Sequence, residues 1–167
     1  MKTIVLMRHA KAEPGEAGQK DFDRPLATRG NEDAVRMGHA LKKMGAVPDA
    51  IVASPAARAK ETAEAAAGAM SFSGSIRWER ALYNASGDTW IEALRGLPDA
   101  TDSALVVAHS PGIAEAAGLL CGASPGAFDV PTGGVIALID GIERWRDLGH
   151  GEAAVRWFLR PKLVERL

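Results

Sequence analysis

Apolar and polar positions alternate along the chain on two scales. Three short apolar runs, at residues 3–7, 50–53 and 104–108, are separated by long stretches with helical spacing. Short buried runs alternating with helices are the pattern of parallel strands in an α/β sheet. Thr28 can cap a helix that has Glu32 and Asp33 in its first turn. Its apolar stripe is Ala34, Val35, Gly38 and Leu41, and Lys42, Lys43 and then Gly45 mark its end. Ser54 and Pro55 open a second helix as N-cap and first position, rich in alanine as far as Gly68, so Arg58 projects from its first turn. Residues 75–78 read as a short fourth strand, and 88–97 as a helix capped by Asp88 and stopped before Pro98. His109-Ser110-Pro111-Gly112 repeats the strand, cap, proline order of residues 53–55 and leads into a helix over 111–121.

The tail changes character. Pro131-Thr132-Gly133-Gly134 leads into an extended run at 135–140, and a second run at 153–159 follows a polar connection holding Asp147, Gly149, His150 and Gly151. No helix fits between them, so they read as an antiparallel hairpin or edge pair on an otherwise parallel sheet. The expected fold class is α/β: a three-layer αβα sandwich whose mostly parallel sheet carries an antiparallel edge. Residues 11–27 are too charged and too rich in Gly and Pro to form an element, and long enough to overhang the end of the first strand.

A chain of 167 residues supports one hydrophobic core, so 1–167 reads as a single domain. Lys and Arg number 20 against 21 Asp and Glu, so no global field draws the chain to nucleic acid or an anionic membrane. Any basic site must be local. The apolar amino terminus is too short for a signal-peptide core, and no run approaches the ~18 apolar residues of a membrane span. One cysteine, Cys121, excludes an internal disulfide and fits a reducing compartment, so the expected location is cytoplasmic. Cys121 lies in an Ala/Gly/Leu stretch, which points to packing rather than nucleophilic chemistry.

The chemistry sits where the three runs end. Ligands bind α/β sheets at the carboxyl ends of the strands, and these runs end in Arg8-His9, in Ser54 with Arg58 close behind, and in His109. Guanidiniums match phosphoryl oxygens bidentately and stay charged. Helices beginning near Pro55 and Pro111 aim free backbone amides at the same region. Neighbouring cations lower an imidazole's pKa and keep a lone pair available, which makes His9 a nucleophile. No metal or cofactor is expected: His39 is mid-helix, His150 is in a Gly-flanked turn, and neither has a metal-ligand spacing to a partner. Trp78, Trp90, Trp145 and Trp157 are scattered and read as packing, Gly133-Gly134 as a tight turn. Arg24 and Arg29 suit surface charge and substrate contact equally well.

Four ordered motifs, Leu6-Met-Arg-His-Ala-Lys-Ala-Glu13, Arg24-Pro-Leu-Ala-Thr-Arg-Gly30, Ser54-Pro-Ala-Ala-Arg-Ala-Lys-Glu-Thr-Ala63 and Val107-Ala-His-Ser-Pro-Gly112, resemble the histidine phosphatase (phosphoglycerate mutase-like) superfamily, and within it the short SixA-type phosphohistidine phosphatase branch. The resemblance implies a phosphoglycerate mutase-like fold and a phosphatase working through a covalent phosphohistidine on His9. It also implies that Arg8, Arg58 and His109 hold the phosphoryl oxygens and that no metal takes part. The implied partner is a phosphorylated substrate. Because no long insertion follows residues 30, 70 or 115, an open, shallow site is expected, which favours a phosphohistidine-bearing signalling protein. The alternatives are a small-molecule phosphomonoesterase of the same family and a catalytically idle phosphate-binding domain. The chain departs from the family at Ala10, where many relatives have Gly, and at Ser110, where the short branch commonly has Asn. At Ala81, just before Leu82, larger members place the glutamate that donates a proton. That leaves Glu79 and Asp88 as weak candidates for the general acid.

Overall fold

Along the first strand, β1 (Lys2–Arg8), side chains alternate between two buried faces, with Ile4 and Leu6 on one side and Val5 and Met7 on the other. A strand buried on both faces belongs in the middle of a sheet covered by helices on each side. The computed structural model, which describes residues 1–167, shows that arrangement. Strands β2 (Ala50–Ala53), β3 (Ile76–Trp78), β4 (Ser103–Ala108), β5 (Val135–Asp140) and β6 (Ala154–Leu159) join β1 in one sheet of order β3-β2-β4-β1-β5-β6. The pairs β3–β2, β2–β4 and β4–β1 are parallel, whereas β1–β5 and β5–β6 are antiparallel, so the expected antiparallel edge is present.

The two faces carry separate cores. Helices α1 (Thr28–Lys43) and α2 (Ala57–Met70) lay Met37, Leu41, Ala63, Ala66 and Met70 on Val5, Met7, Leu105 and Val107. Helices α3 (Gly87–Arg95) and α4 (Gly112–Cys121) lay Trp90, Ile91, Leu94, Ile113 and Ala117 on Ile4, Leu6, Val106 and Ala108. Trp90 and Trp145 are fully buried in this second core, and truncating such a side chain costs about 3–5 kcal/mol. Cys121 packs against the same core, as its surroundings in the sequence indicate. A last helical turn, α5 (Pro161–Val164), closes against α1.

The helix starts differ from the sequence expectation in a consistent way. Thr28 is the first helical residue of α1 and Ala27 occupies the cap, so Glu32 and Asp33 lie beyond the first turn. α2 begins at Ala57, two residues after the expected first position at Pro55; the Ser54 hydroxyl is shared between the His109 ring at 2.8 Å and the Ala56 amide, which donates to it at 3.3 Å ahead of the helix. α2 also runs past Gly68 to Met70, ending on a left-handed Ser71. Pro111 is the cap of α4, and α3 is capped at Ser86, which puts Asp88 inside its first turn. The 11–27 stretch is not wholly irregular: Ala12 bridges Leu26, and Asp21–Asp23 forms a single 3₁₀ turn.

Candidate active site

The carboxyl ends of β1 and β4 lie side by side. Arg8 pairs with Ala108 in register, and the His9 amide donates to the Ala108 carbonyl at 2.9 Å. One residue further, alternation turns His9 and His109 toward the α1–α2 side of the sheet, and their ring centroids are 5.3 Å apart. Arg8 faces the other way, where its Nη1 donates to the Val130 carbonyl at 3.0 Å. Arg58, in the first turn of α2, is buried and reaches the histidines from above. His9, His109 and Arg58 therefore meet on one face, and Arg8, on the other side of the strand end, is close enough for its charge to act on His9.

The protonation of His9 follows from its partners. Nδ1 lies 2.7 Å from the Ala10 carbonyl, an acceptor only, so Nδ1 carries the proton. Arg58 Nε, a donor only, lies 3.3 Å from Nε2, which must therefore present its lone pair. Burial holds the His9 pKa down at about 4, against an upward pull from the Ala10 carbonyl, and the charges of Arg58, Arg8 and Arg24 lower it further. Desolvation thus does more than the neighbouring cations alone to keep the ring neutral. His109 is depressed to about 3, first by burial and then by His9 and Arg58. Its Nε2 pairs with Ser54 Oγ at 2.8 Å, while its Nδ1 and the Arg8 Nε are buried without a hydrogen-bond partner. Such groups cost about 1–3 kcal/mol each when left unpaired.

Backbone anchors fix this geometry. Thr62 Oγ1 accepts from the Ala10 amide at 3.0 Å and donates to the Arg58 carbonyl at 2.6 Å, tying the residue after His9 to the helix carrying Arg58. The Gly133 amide donates to the carbonyls of His9 and Arg8 at 3.0 and 3.2 Å. Gly133 has φ +73, and a Cβ there would meet Pro161 Cγ at 2.9 Å, so only glycine fits the turn behind the pair.

The structure also adds a residue that the sequence reading passed over. Asp21, from the 11–27 loop, folds onto Arg58: Arg58 Nη1 donates to its backbone carbonyl at 2.8 Å and Nη2 to Oδ2 at 3.0 Å. The Tyr83 hydroxyl donates to Oδ2 at 2.8 Å and Arg24 Nη1 to Oδ1 at 2.9 Å. The Tyr83 hydrogen bond, with those of Arg24 and Arg58, holds the Asp21 pKa at about 2. The site is thus less open than the absence of insertions suggests, since the polar loop itself covers Arg58. Arg24 belongs to this clasp, whereas Arg29 pairs with Asp33 and Glu165 and serves the α1–α5 contact. Neither candidate acid makes a contact with the cluster. Glu79 caps a 3₁₀ turn by accepting from the Ala81 amide at 3.2 Å, and Asp88 pairs with His150 at 3.0 Å. The only sequence signal for Asp21 was its place in a charged loop long enough to overhang the first strand.

A mixed α/β sandwich with paired histidines and guanidiniums at its carboxyl edge is the framework of a phosphatase. The family model of the histidine phosphatase superfamily, branch 1, matches residues 4–91, a span that holds Arg8, His9 and Arg58. The chain belongs to the histidine phosphatase superfamily. An uncharacterized protein of Mycobacterium tuberculosis is 34% identical over 164 residues, covering 93% of this chain and 100% of the relative. Another from Mycobacterium leprae is 30% identical over 171 residues with the same coverage. Among solved structures, one assigned as the phosphohistidine phosphatase SixA of Agrobacterium tumefaciens is 26% identical, covers 96% of this chain and 98% of its own, and superposes with a TM-score of 0.83. The protein histidine phosphatase SixA complexed with tungstate shares the fold at a TM-score of 0.83 and 22% identity, covering 97% and 99% of the two chains.

Proposed function

We propose that the chain is a protein phosphohistidine phosphatase in which His9 Nε2 is the nucleophile. The observation that carries this reading is the fixed tautomer of His9: a proton on Nδ1 held by the Ala10 carbonyl, and an unprotonated Nε2 whose lone pair accepts a long hydrogen bond from Arg58 Nε, which an incoming phosphoryl group would displace. The Nε2 lone pair attacks phosphorus and the bond from phosphorus to the leaving nitrogen breaks, giving phospho-His9. The substrate imidazole departs with a proton taken from solvent. Water then attacks the same phosphorus, the bond to Nε2 breaks with its electron pair returning to Nε2, and phosphate leaves as the water gives a proton back to solvent. Arg8, Arg58 and His109 hold the phosphoryl oxygens, with charge-assisted donors placed where negative charge develops. That SixA structure with bound tungstate, a tetrahedral oxyanion, supports an oxyanion site on this fold.

A phosphohistidine substrate suits the site because Asp21 is ionised at neutral pH, so no carboxylate in contact with the cluster offers a proton. Imidazole leaves with less help than an alkoxide does. No helix is long and apolar enough to cross a membrane. A single cysteine, which fits a reducing compartment, supports a cytosolic location for the enzyme and its substrate protein. The test is His9→Ala, assayed with an aryl phosphate and with a phosphohistidine peptide, alongside rapid acid-free capture of the phosphoenzyme. Loss of at least a thousandfold in rate with an unchanged circular dichroism spectrum, and loss of the captured phosphohistidine, are expected. Near-normal hydrolysis by the variant overturns covalent catalysis through this residue.

A further inference from the structure

We infer that the cleft beside the active site docks an acidic segment of the phosphorylated protein, an inference that rests on the phosphatase reading above. The cleft has a volume of about 720 Å³, and its walls carry Lys11, Arg29, Arg160, Lys162 and Arg166 against one carboxylate, Asp33. A chain of net charge −1 thus concentrates five cations around one concavity. Like charges gathered this closely repel one another, and an anionic occupant relieves that repulsion.

Four of the cations remain available. Lys11, Lys162 and Arg166 have no carboxylate within salt-bridge distance, and the pair Arg160–Asp129 is solvent-exposed at 3.4 Å, whereas Arg29 is held by Asp33 and by both oxygens of Glu165. Exposed pairs of this kind contribute at most about 1 kcal/mol and exchange readily for a better partner. Apart from Leu163, Pro131 and Pro161, every side chain that lines the cleft is polar or charged.

Position specifies the occupant. Pro131 and Thr132 line the cleft and lead directly into Gly133, whose amide is bonded to the His9 carbonyl at 3.0 Å. Lys11 follows His9 by two residues. A chain whose phosphorylated residue sits at His9 therefore passes the cleft within a few residues, at about 3.3 Å per extended residue. Five cations around one short concavity favour a short acidic peptide over nucleic acid, whose repeating phosphates need a longer basic track.

The experiment uses the full chain and two peptides, each with a single phosphohistidine, flanked by glutamates in one and by alanines in the other. The expected result is at least a tenfold higher kcat/KM for the glutamate peptide, an advantage that shrinks with added salt. The double variant Lys162→Glu/Arg166→Glu should lose this preference while hydrolysing p-nitrophenyl phosphate within twofold of the parent. An equal rate on both peptides, or a preference that survives the double variant, overturns the proposal. Binding of oligouridylate or of phosphatidylserine vesicles that depends on Lys162 and Arg166, with no glutamate preference, also overturns it. If the parent hydrolyses none of these substrates the phosphatase reading fails instead. Fluorescence anisotropy of an unphosphorylated glutamate peptide then tests the cleft alone, with loss of binding in the double variant expected and binding unaffected by it overturning the proposal.

Discussion

Asp21 and Arg58 are 37 residues apart in sequence, yet the loop residue takes both terminal nitrogens of the guanidinium, one through its backbone carbonyl and one through its carboxylate. With Nε committed to His9, every nitrogen of Arg58 is engaged. A phosphoryl group that binds Arg58 must share it with Asp21 or displace it.

Asp21→Asn is therefore expected to tighten inhibition by tungstate or phosphate, because it removes a negative charge that competes for the same guanidinium. Relief of about 1 kcal/mol at a partly exposed site corresponds to roughly a fivefold lower inhibition constant. Inhibition titrations check this. An unchanged constant together with a hundredfold fall in kcat would assign Asp21 to proton transfer instead.

The two depressed histidines set a pH dependence. In the fold His9 stays neutral down to about pH 4 and His109 to about pH 3, while in the unfolded chain both take up protons below about 6.5. The unfolded state binds more protons between those limits, so stability falls as pH drops from 6.5 toward 4, by about 2 kcal/mol per histidine at pH 5. Denaturant titrations at pH 7 and pH 5 measure the difference, and His109→Ala should reduce it. Activity has the opposite tolerance: the His9 lone pair survives mild acid, and the enzyme-linked acid limb of kcat/KM is expected near pH 4.

The leaving group should matter strongly. Neither Glu79 nor Asp88 reaches the cluster, and Asp21 is ionised, so substrates whose leaving group needs a proton lack the ~10² to 10⁴ that general acid catalysis supplies. Phosphohistidine and aryl phosphates should turn over well ahead of 3-phosphoglycerate and sugar phosphates, and Glu79→Gln should change little. A plot of log kcat/KM against leaving-group pKa is expected to slope steeply downward; a flat line would reveal an efficient acid.

Thr62→Val removes an acceptor from the Ala10 amide and a donor to the Arg58 carbonyl while conserving shape. An unpaired buried amide costs about 1–3 kcal/mol, which at this chain length lowers Tm by roughly 3–10 °C. Thermal melts measure that loss. A parallel fall in kcat/KM on an aryl phosphate is expected, since the same hydroxyl joins His9's neighbour to Arg58.

Local pattern carried most of the architecture and the four central side chains. The runs ending at Arg8, Ala53 and Ala108 sit adjacent in the sheet, and alternation beyond β1 and β4 puts both histidines on the face covered by α2. Contacts distant in sequence were not legible. Asp21 meets Tyr83 across 62 residues and Arg58 across 37, and nothing in a charged, proline-bearing loop signals which carboxylate folds inward. Ser54 shows the same limit on a smaller scale. Its sequence context is that of an N-cap, but its hydroxyl is shared between the Ala56 amide and His109, 55 residues away, and the helix starts later.

The pairing of β1 with β4 has a consequence for how the chain can vary. Each strand carries its histidine one step past the last paired residue, so the distance between the two rings is set by hydrogen-bond register rather than by loop length. Insertions in the connections leave that spacing untouched. Removing one residue from either strand would turn its histidine to the opposite face of the sheet and dismantle the site while leaving every side chain of the motif in the sequence.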